Sequence, residues 1–133
     1  MSRRPLEGIR VVLGVSGSIA AYKAADIASR LVQEGAMVDV LLTEEATKFI
    51  APLTFRSLTN RPVPVDMFDV NSEVAEAHVE LARAADALVV APATASMLAR
   101  LAHGLADDMV SLTAAATRAP LLLAPAMDSL MWE

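Results

Sequence analysis

The sequence predicts an α/β fold, a doubly wound parallel sheet in three α/β/α layers. Two observations carry this. The apolar runs at Ile9–Val15, Met37–Leu42, Ala87–Ala91 and Pro120–Ala124 are short, rich in branched residues and closed by glycine, proline or hydroxyl residues. They do not alternate apolar with polar, as a strand with one wet face would, and so they read as strands buried on both faces. Between them lie stretches with helical periodicity, which gives βαβ units with right-handed crossovers.

The first strand, Ile9–Val15, runs into Ser16-Gly17-Ser18 and then a helix from about Ile19 to Glu34. Its apolar positions Ala20, Ala24, Ile27 and Leu31 share one helix face. Gly35 stops it, as a glycine just past a helix end does. After the second strand, Glu44 and Glu45 sit where the first turn of a helix favours negative charge. Pro52 opens a short helix through Leu58. Val63 and Val65 flank Pro64, which confines any strand there to a sheet edge. Asp66–Ala77 is polar and reads as a loop, followed by a short helix from about His78 to Ala85 and the third strand. Pro92-Ala93-Thr94 is read as a turn, and helices follow over Ala95–Ala102 and Asp107–Thr117, split by Gly104. The last strand leaves only Met127–Trp132 to cover it, so a partner subunit or further chain is expected there. The expected organisation is one domain, 1–133, cut short at its carboxyl end.

Composition narrows the function. The chain is 55% hydrophobic and 20% charged, enough for a sizeable core and above the usual apolar share, an excess that suits a subunit interface. The net charge of -5 disfavours nucleic acid, whose phosphates want clustered Lys and Arg. There is no cysteine, which excludes disulfides and thiolate metal sites, and no other metal-ligand spacing is found. The basic start is broken by Pro5, Glu7 and Arg10, unlike a secretory signal, and no apolar run reaches the ~18 residues of a membrane span. A soluble cytoplasmic protein without a membrane partner is expected.

Three places at strand carboxyl ends could carry a ligand, because open α/β sheets bind there. In Gly14-Val15-Ser16-Gly17-Ser18-Ile19, free amides, a helix dipole and two hydroxyls suit a phosphate, and glycine allows close backbone approach. The register is neither G-x-G-x-x-G nor a Walker loop, so a monophosphate fits better than a pyrophosphate. The alternative is a tight turn with a serine cap. Thr43 stands past the second strand and is either a ligand or an N-cap. Ala91-Pro92-Ala93-Thr94-Ala95-Ser96 has small side chains against which a flat ring can lie. His78 at a helix start reads as a surface or capping residue ahead of a catalyst, His103 as a helix-end cation, and Asp107 and Asp108 as an N-cap and a first-turn acid.

Several segments, in order, resemble the homo-oligomeric flavin-containing cysteine decarboxylases. Gly17-Ser18-Ile19-Ala20-Ala21-Tyr22-Lys23 resembles that family's flavin-phosphate turn, and His78-Val79-Glu80-Leu81 its histidine motif. Ala91-Pro92-Ala93-Thr94-Ala95 is similar to its APATAN segment, Gly104-Leu105-Ala106-Asp107-Asp108 to its G-[IL]-A-D-[DN] run, and Pro125–Trp132 to PxMNxxMW.

The resemblance implies a flavodoxin-like or Rossmann-like fold, with FMN bound where subunits of a homotrimer meet and trimers able to build a dodecamer. It implies conversion of 4′-phosphopantothenoylcysteine to 4′-phosphopantetheine in coenzyme A biosynthesis. The flavin would oxidise the cysteine thiol towards a thioaldehyde, CO₂ would leave, and the reduced flavin would reduce the enethiol. Ser16, Gly17, Ser18, Ile19 and Thr43 would hold the phosphate, and Ala91, Pro92, Ala93, Thr94, Ser96 and Met127 would flank the ring. His78 would be the acid/base and Asp128 would meet the substrate carboxylate. Asp128 replaces the family's asparagine and Ser96 a second one, and the family's later flap with its cysteine has no counterpart in this sequence. The other readings are an FMN-binding protein of the same fold without decarboxylation, regulatory or electron-transferring, and a flavin prenyltransferase relative.

Overall fold

The computed structural model describes residues 4–64 and 79–126. Four parallel strands form one sheet in the order β2-β1-β3-β4: β1 is Arg10–Val15, β2 Met37–Leu42, β3 Ala87–Ala93 and β4 Leu121–Pro125. Helix α1 is Ala21–Gln33 and α2 is Pro52–Thr59, with a 3₁₀ turn at Glu45–Lys48 before it. Residues 79–84 form α3, and α4 (Ala95–His103) and α5 (Met109–Ala116) follow β3.

The continuous apolar strands do face a core on each side. On one face Val11, Leu13 and Val15 of β1 pack with Val38, Val40 and Leu42 of β2, the α1 alanines Ala21, Ala24 and Ala28, and Phe55 of α2. On the other, Val12, Leu41, Leu88 and Val90 meet Met97 of α4 and Met109 and Val110 of α5. The three fully buried alanines let the α1 axis lie close to the sheet. Gly14 does the same for α5: a Cβ there would stand 2.7 Å from a Val110 methyl. Asp39, buried on β2, is held by Arg61 Nε at 2.6 Å and faces Arg10 at 3.8 Å, which anchors the chain after α2 to the sheet.

Several boundaries differ from the sequence expectation. Helix α1 starts at Ala21, not Ile19, because Ser18 Oγ accepts from the Ala20 N–H and the Ser18 carbonyl from Ala21, making a turn first. Glu44 and Glu45 lead only a 3₁₀ turn, and 62–64 form no strand. Val65 lies outside the described residues, as do the Asp66–Ala77 segment and His78. Strand β3 continues through Pro92 to Ala93 where a turn was expected. Val90 pairs with Leu123 and Ala93 with Pro125, so β3 carries one residue more than β4 over that step. This bulge turns Ala93 towards α4, while Ala91 faces the α1 layer. The expected exposure of the last strand is present: Leu121, Leu122 and Leu123 of β4 are 42%, 57% and 42% exposed. Among the described residues, no helix is long and apolar enough to cross a membrane.

Gly14→Ala is expected to overpack the β1–α5 contact at a cost of ~1–3 kcal/mol. Adding Val110→Ala should recover part of that loss, and denaturant midpoints of the two single variants and the double variant measure it. Simple additivity would mean that the two sites are not in contact.

Candidate functional site

The crossovers from β1 and β3 leave on opposite sides of the sheet, and the crevice between their carboxyl ends is where open α/β sheets bind ligands. A cavity of about 390 Å³ opens there, within the usual range for small-molecule sites. Its walls come from the turn after β1, Thr43 and Glu45 after β2, and the first turns of α4.

Ser16 builds its floor. The side chain is buried; its hydroxyl donates to the Pro92 carbonyl at 2.5 Å and accepts from the Thr94 N–H at 3.1 Å, while the Ser16 N–H also points to Pro92 O at 3.3 Å. The hydroxyl proton expected for a phosphate is therefore committed to the strand behind. Among the described residues the amides of Gly17, Ser18 and Ile19 have no hydrogen-bond acceptor. They lie ahead of α1, whose positive end they share. Ser18 Oγ accepts from Ala20 N and retains its own proton for a ligand. Ile19 is 82% exposed and outside the cavity lining.

Gly17 has a reason beyond ligand approach. A Cβ there would lie 2.5 Å from Glu45 Cβ and 3.0 Å from the Glu45 carbonyl carbon. The 3₁₀ turn closes on this residue, so packing alone already requires glycine. Thr43 shapes that turn: it is buried, and its Oγ1 and carbonyl oxygen both accept from Ala46 N–H, at 3.2 and 3.1 Å. Thr43 stands one residue before Glu44, the N-cap of the turn, and also lines the cavity with a hydroxyl donor to spare.

The Ala91–Ser96 segment divides. Ala91 and Ala93 are buried in opposite core layers, and Pro92 offers its carbonyl to Ser16. Thr94, Ala95 and Ser96 line the cavity. Thr94 is the N-cap of α4, its side chain accepting from Met97 N–H at 3.1 Å. A second helix N-terminus thus faces the same cavity. His78, Met127 and Asp128 lie outside the described residues.

Two charged residues of the lining, Arg100 and Glu45, carried no ligand signal in the sequence. Arg100 Nη1 donates to Asp108 Oδ2 at 2.8 Å and its Nε is 3.8 Å from Asp107 Oδ1. The Asp108 bond raises the Arg100 pKa against the opposing effect of burial, and the charges of Asp107, Asp108 and Glu45 add to the rise, so the guanidinium stays cationic. Asp108 is the N-cap of α5 in a capping box with Ser111, one residue later than the expected cap at Asp107. His103 stands in the last turn of α4, before the left-handed Gly104.

A cradle of open amides, hydroxyls, two helix N-termini and a fixed cation suits the phosphate of a mononucleotide. The family model described as Flavoprotein matches residues 1–133. The chain belongs to the flavoprotein family. It is 44% identical over 128 residues to the coenzyme A biosynthesis bifunctional protein CoaBC of Vibrio cholerae, which covers 96% of this chain and 32% of that protein. The chain therefore spans about a third of the curated relatives it matches. Among solved structures, the FMN-dependent cysteine decarboxylase TvaF of thioviridamide biosynthesis superposes with a TM-score of 0.83 at 31% identity, covering 93% of this chain and 76% of that one. A PPC decarboxylase variant complexed with pantothenoylaminoethenethiol gives 0.73 at 31% identity, covering 93% and 70%. The shared fold is the flavodoxin-like or Rossmann-type α/β architecture.

Ser16→Ala should lower stability by ~1–3 kcal/mol, because it removes the acceptor of the part-buried Thr94 amide and a buried donor to Pro92. Thermal melting of the ligand-free protein checks this. An unchanged midpoint would show that the bridge between β1 and β3 does not support the fold.

Proposed function

We propose that this chain binds FMN and is the decarboxylase part of a coenzyme A biosynthesis protein. It would convert 4′-phosphopantothenoylcysteine to 4′-phosphopantetheine in the cytoplasm, as a homotrimer or a dodecamer built from trimers. The observation that carries the reading is the anion cradle at the β1/β3 switch point in a chain of the flavoprotein family. The likeness to a CoaBC protein and to PPC decarboxylase supports the substrate. The exposed leucines of β4 support a covered face between subunits.

In this reading the Gly17–Ile19 amides and the hydroxyls of Ser18, Thr43 and Ser96 hold the phosphate. Thr94 fixes the α4 N-terminus towards it, and Ser16 keeps the two strand ends together. FMN supplies the two-electron oxidation and reduction that the side chains lack. His78 exchanges a proton with the substrate, and Asp128 faces its carboxylate. An ionised aspartate only accepts hydrogen bonds, and two like charges ~4 Å apart repel by roughly 1–4 kcal/mol at ε of 80 to 20. That charge is the specific observation in favour of the second reading, an FMN-binding protein that does not decarboxylate.

The purified protein is expected to be yellow or to turn yellow on titration with FMN; a protein that takes up no FMN would sink the proposal. CO₂ release from 4′-phosphopantothenoylcysteine by the full-length protein tests the chemistry. His78→Asn should keep FMN and lose ~10²–10⁴-fold in rate. Asp128→Asn should raise the rate or tighten substrate binding with flavin content unchanged. Flavin binding with no CO₂ release from any of the three proteins would favour the second reading.

A further inference from the structure

We infer that Arg100 is the residue by which this site selects the phosphorylated flavin over the unphosphorylated one. The inference rests on the FMN reading above and adds to it a residue outside every segment that carries the family resemblance.

Arg100 is the one cation in the described lining of the cavity, and its side chain is 30% exposed, enough to meet a ligand without being freely solvated. It leaves α4 below the same first turn, Thr94 to Met97, which lines the cavity and whose Thr94 and Met97 amides are already taken by Ser16 Oγ and Thr94 Oγ1. Its orientation is set from outside the site. Asp108 Oδ2 takes Arg100 Nη1, while Asp108 Oδ1 accepts from Ser111 N–H at 2.8 Å as the cap of α5. The carboxylate is thus shared between the guanidinium and the positive end of a helix, which limits how far it cancels the arginine charge. The Asp108 bond is the only hydrogen bond the Arg100 side chain makes among the described residues, and a guanidinium has further N–H donors in the same plane. A fixed planar donor with spare N–H groups is the geometry that recognises a phosphate monoester. Lysine at this position would keep the charge and lose the fork. The competing role is a plain α4–α5 staple, which requires no ligand at all.

The two roles separate in one measurement, the dissociation constants of FMN and riboflavin for the same protein. Riboflavin has the ring and ribityl chain and lacks the phosphate. Arg100→Met should weaken FMN binding by ~10–100-fold, the range for a charge-assisted hydrogen bond, and leave riboflavin binding unchanged. Arg100→Lys should keep part of the preference. Asp108→Asn preserves an N-cap residue for α5 and loosens the guanidinium, so it should lower the FMN-to-riboflavin preference by less than Arg100→Met does. If Arg100→Met fails to fold, Arg100→Lys and Asp108→Asn carry the test. An unchanged preference in the variants, or equal losses for both flavins, would overturn the inference and leave Arg100 as a staple. Wild-type protein that binds neither flavin would instead overturn the flavin reading itself.

Discussion

Parallel strands whose crossovers diverge leave a gap at their carboxyl ends, and in this chain the Ser16 hydroxyl spans it. One proton and one lone pair tie the end of β1 to both the Pro92 carbonyl and the Thr94 amide, across 76 and 78 residues of sequence. The bond fixes where α1 and α4 begin relative to each other. Two helix N-termini then point into one volume instead of diverging into solvent. Together with the β1–β3 ladder and the Ser16 N–H bond to the Pro92 carbonyl, that bridge holds the open amides of Gly17, Ser18 and Ile19 beside Thr94–Ser96. The close contacts around it, Gly14 on Val110 and Gly17 on Glu45, leave no slack for the turn to move.

The bulge in β3 belongs to the same arrangement. A strand that kept its alternation would turn Ala93 towards α1 and carry Thr94 away from the crevice. The extra residue between Val90 and Ala93 inverts that parity. Ala93 packs under α4, and Thr94 reaches both the Ser16 hydroxyl and the Met97 amide.

What the sequence made legible is what depends on neighbours along the chain. Continuous apolar runs marked the four strands, Gly35 and Gly104 marked helix ends, and the Asp107-Asp108 pair marked the start of α5 to within one residue. The site was legible as segments, since a turn after β1, a hydroxyl after β2 and a small-residue run after β3 must all reach the carboxyl edge. The division of labour within them was not. That Ser16 is committed to Pro92 depends on a partner 76 residues away, and that Gly17 is required by Glu45 depends on how the 3₁₀ turn folds back. Arg100 gave no signal because an arginine on an amphipathic helix looks like any solvated charge until Asp108 is seen beside it. The expected turn at Pro92 failed for a related reason. Proline ends donation to a strand partner but keeps its carbonyl, and here that carbonyl is what Ser16 binds.

The net charge of -5 runs against a phosphate site, and distance resolves the conflict. Charges on the surface are screened over about 8 Å at physiological salt, so most of the acidic surplus contributes little inside the crevice. Within it, the groups that count are the dipoles and the one guanidinium of the described lining, where interactions are strongest because water is partly excluded. Glu45 is the local exception, an exposed carboxylate on the same wall that water shields better than it shields Arg100. An acidic chain can therefore disfavour the long phosphate track of a nucleic acid, which needs a broad positive surface, and still hold one phosphate monoester. The number of phosphates that can be accommodated is set by the size of the cradle, and this cradle is one turn and one cation wide.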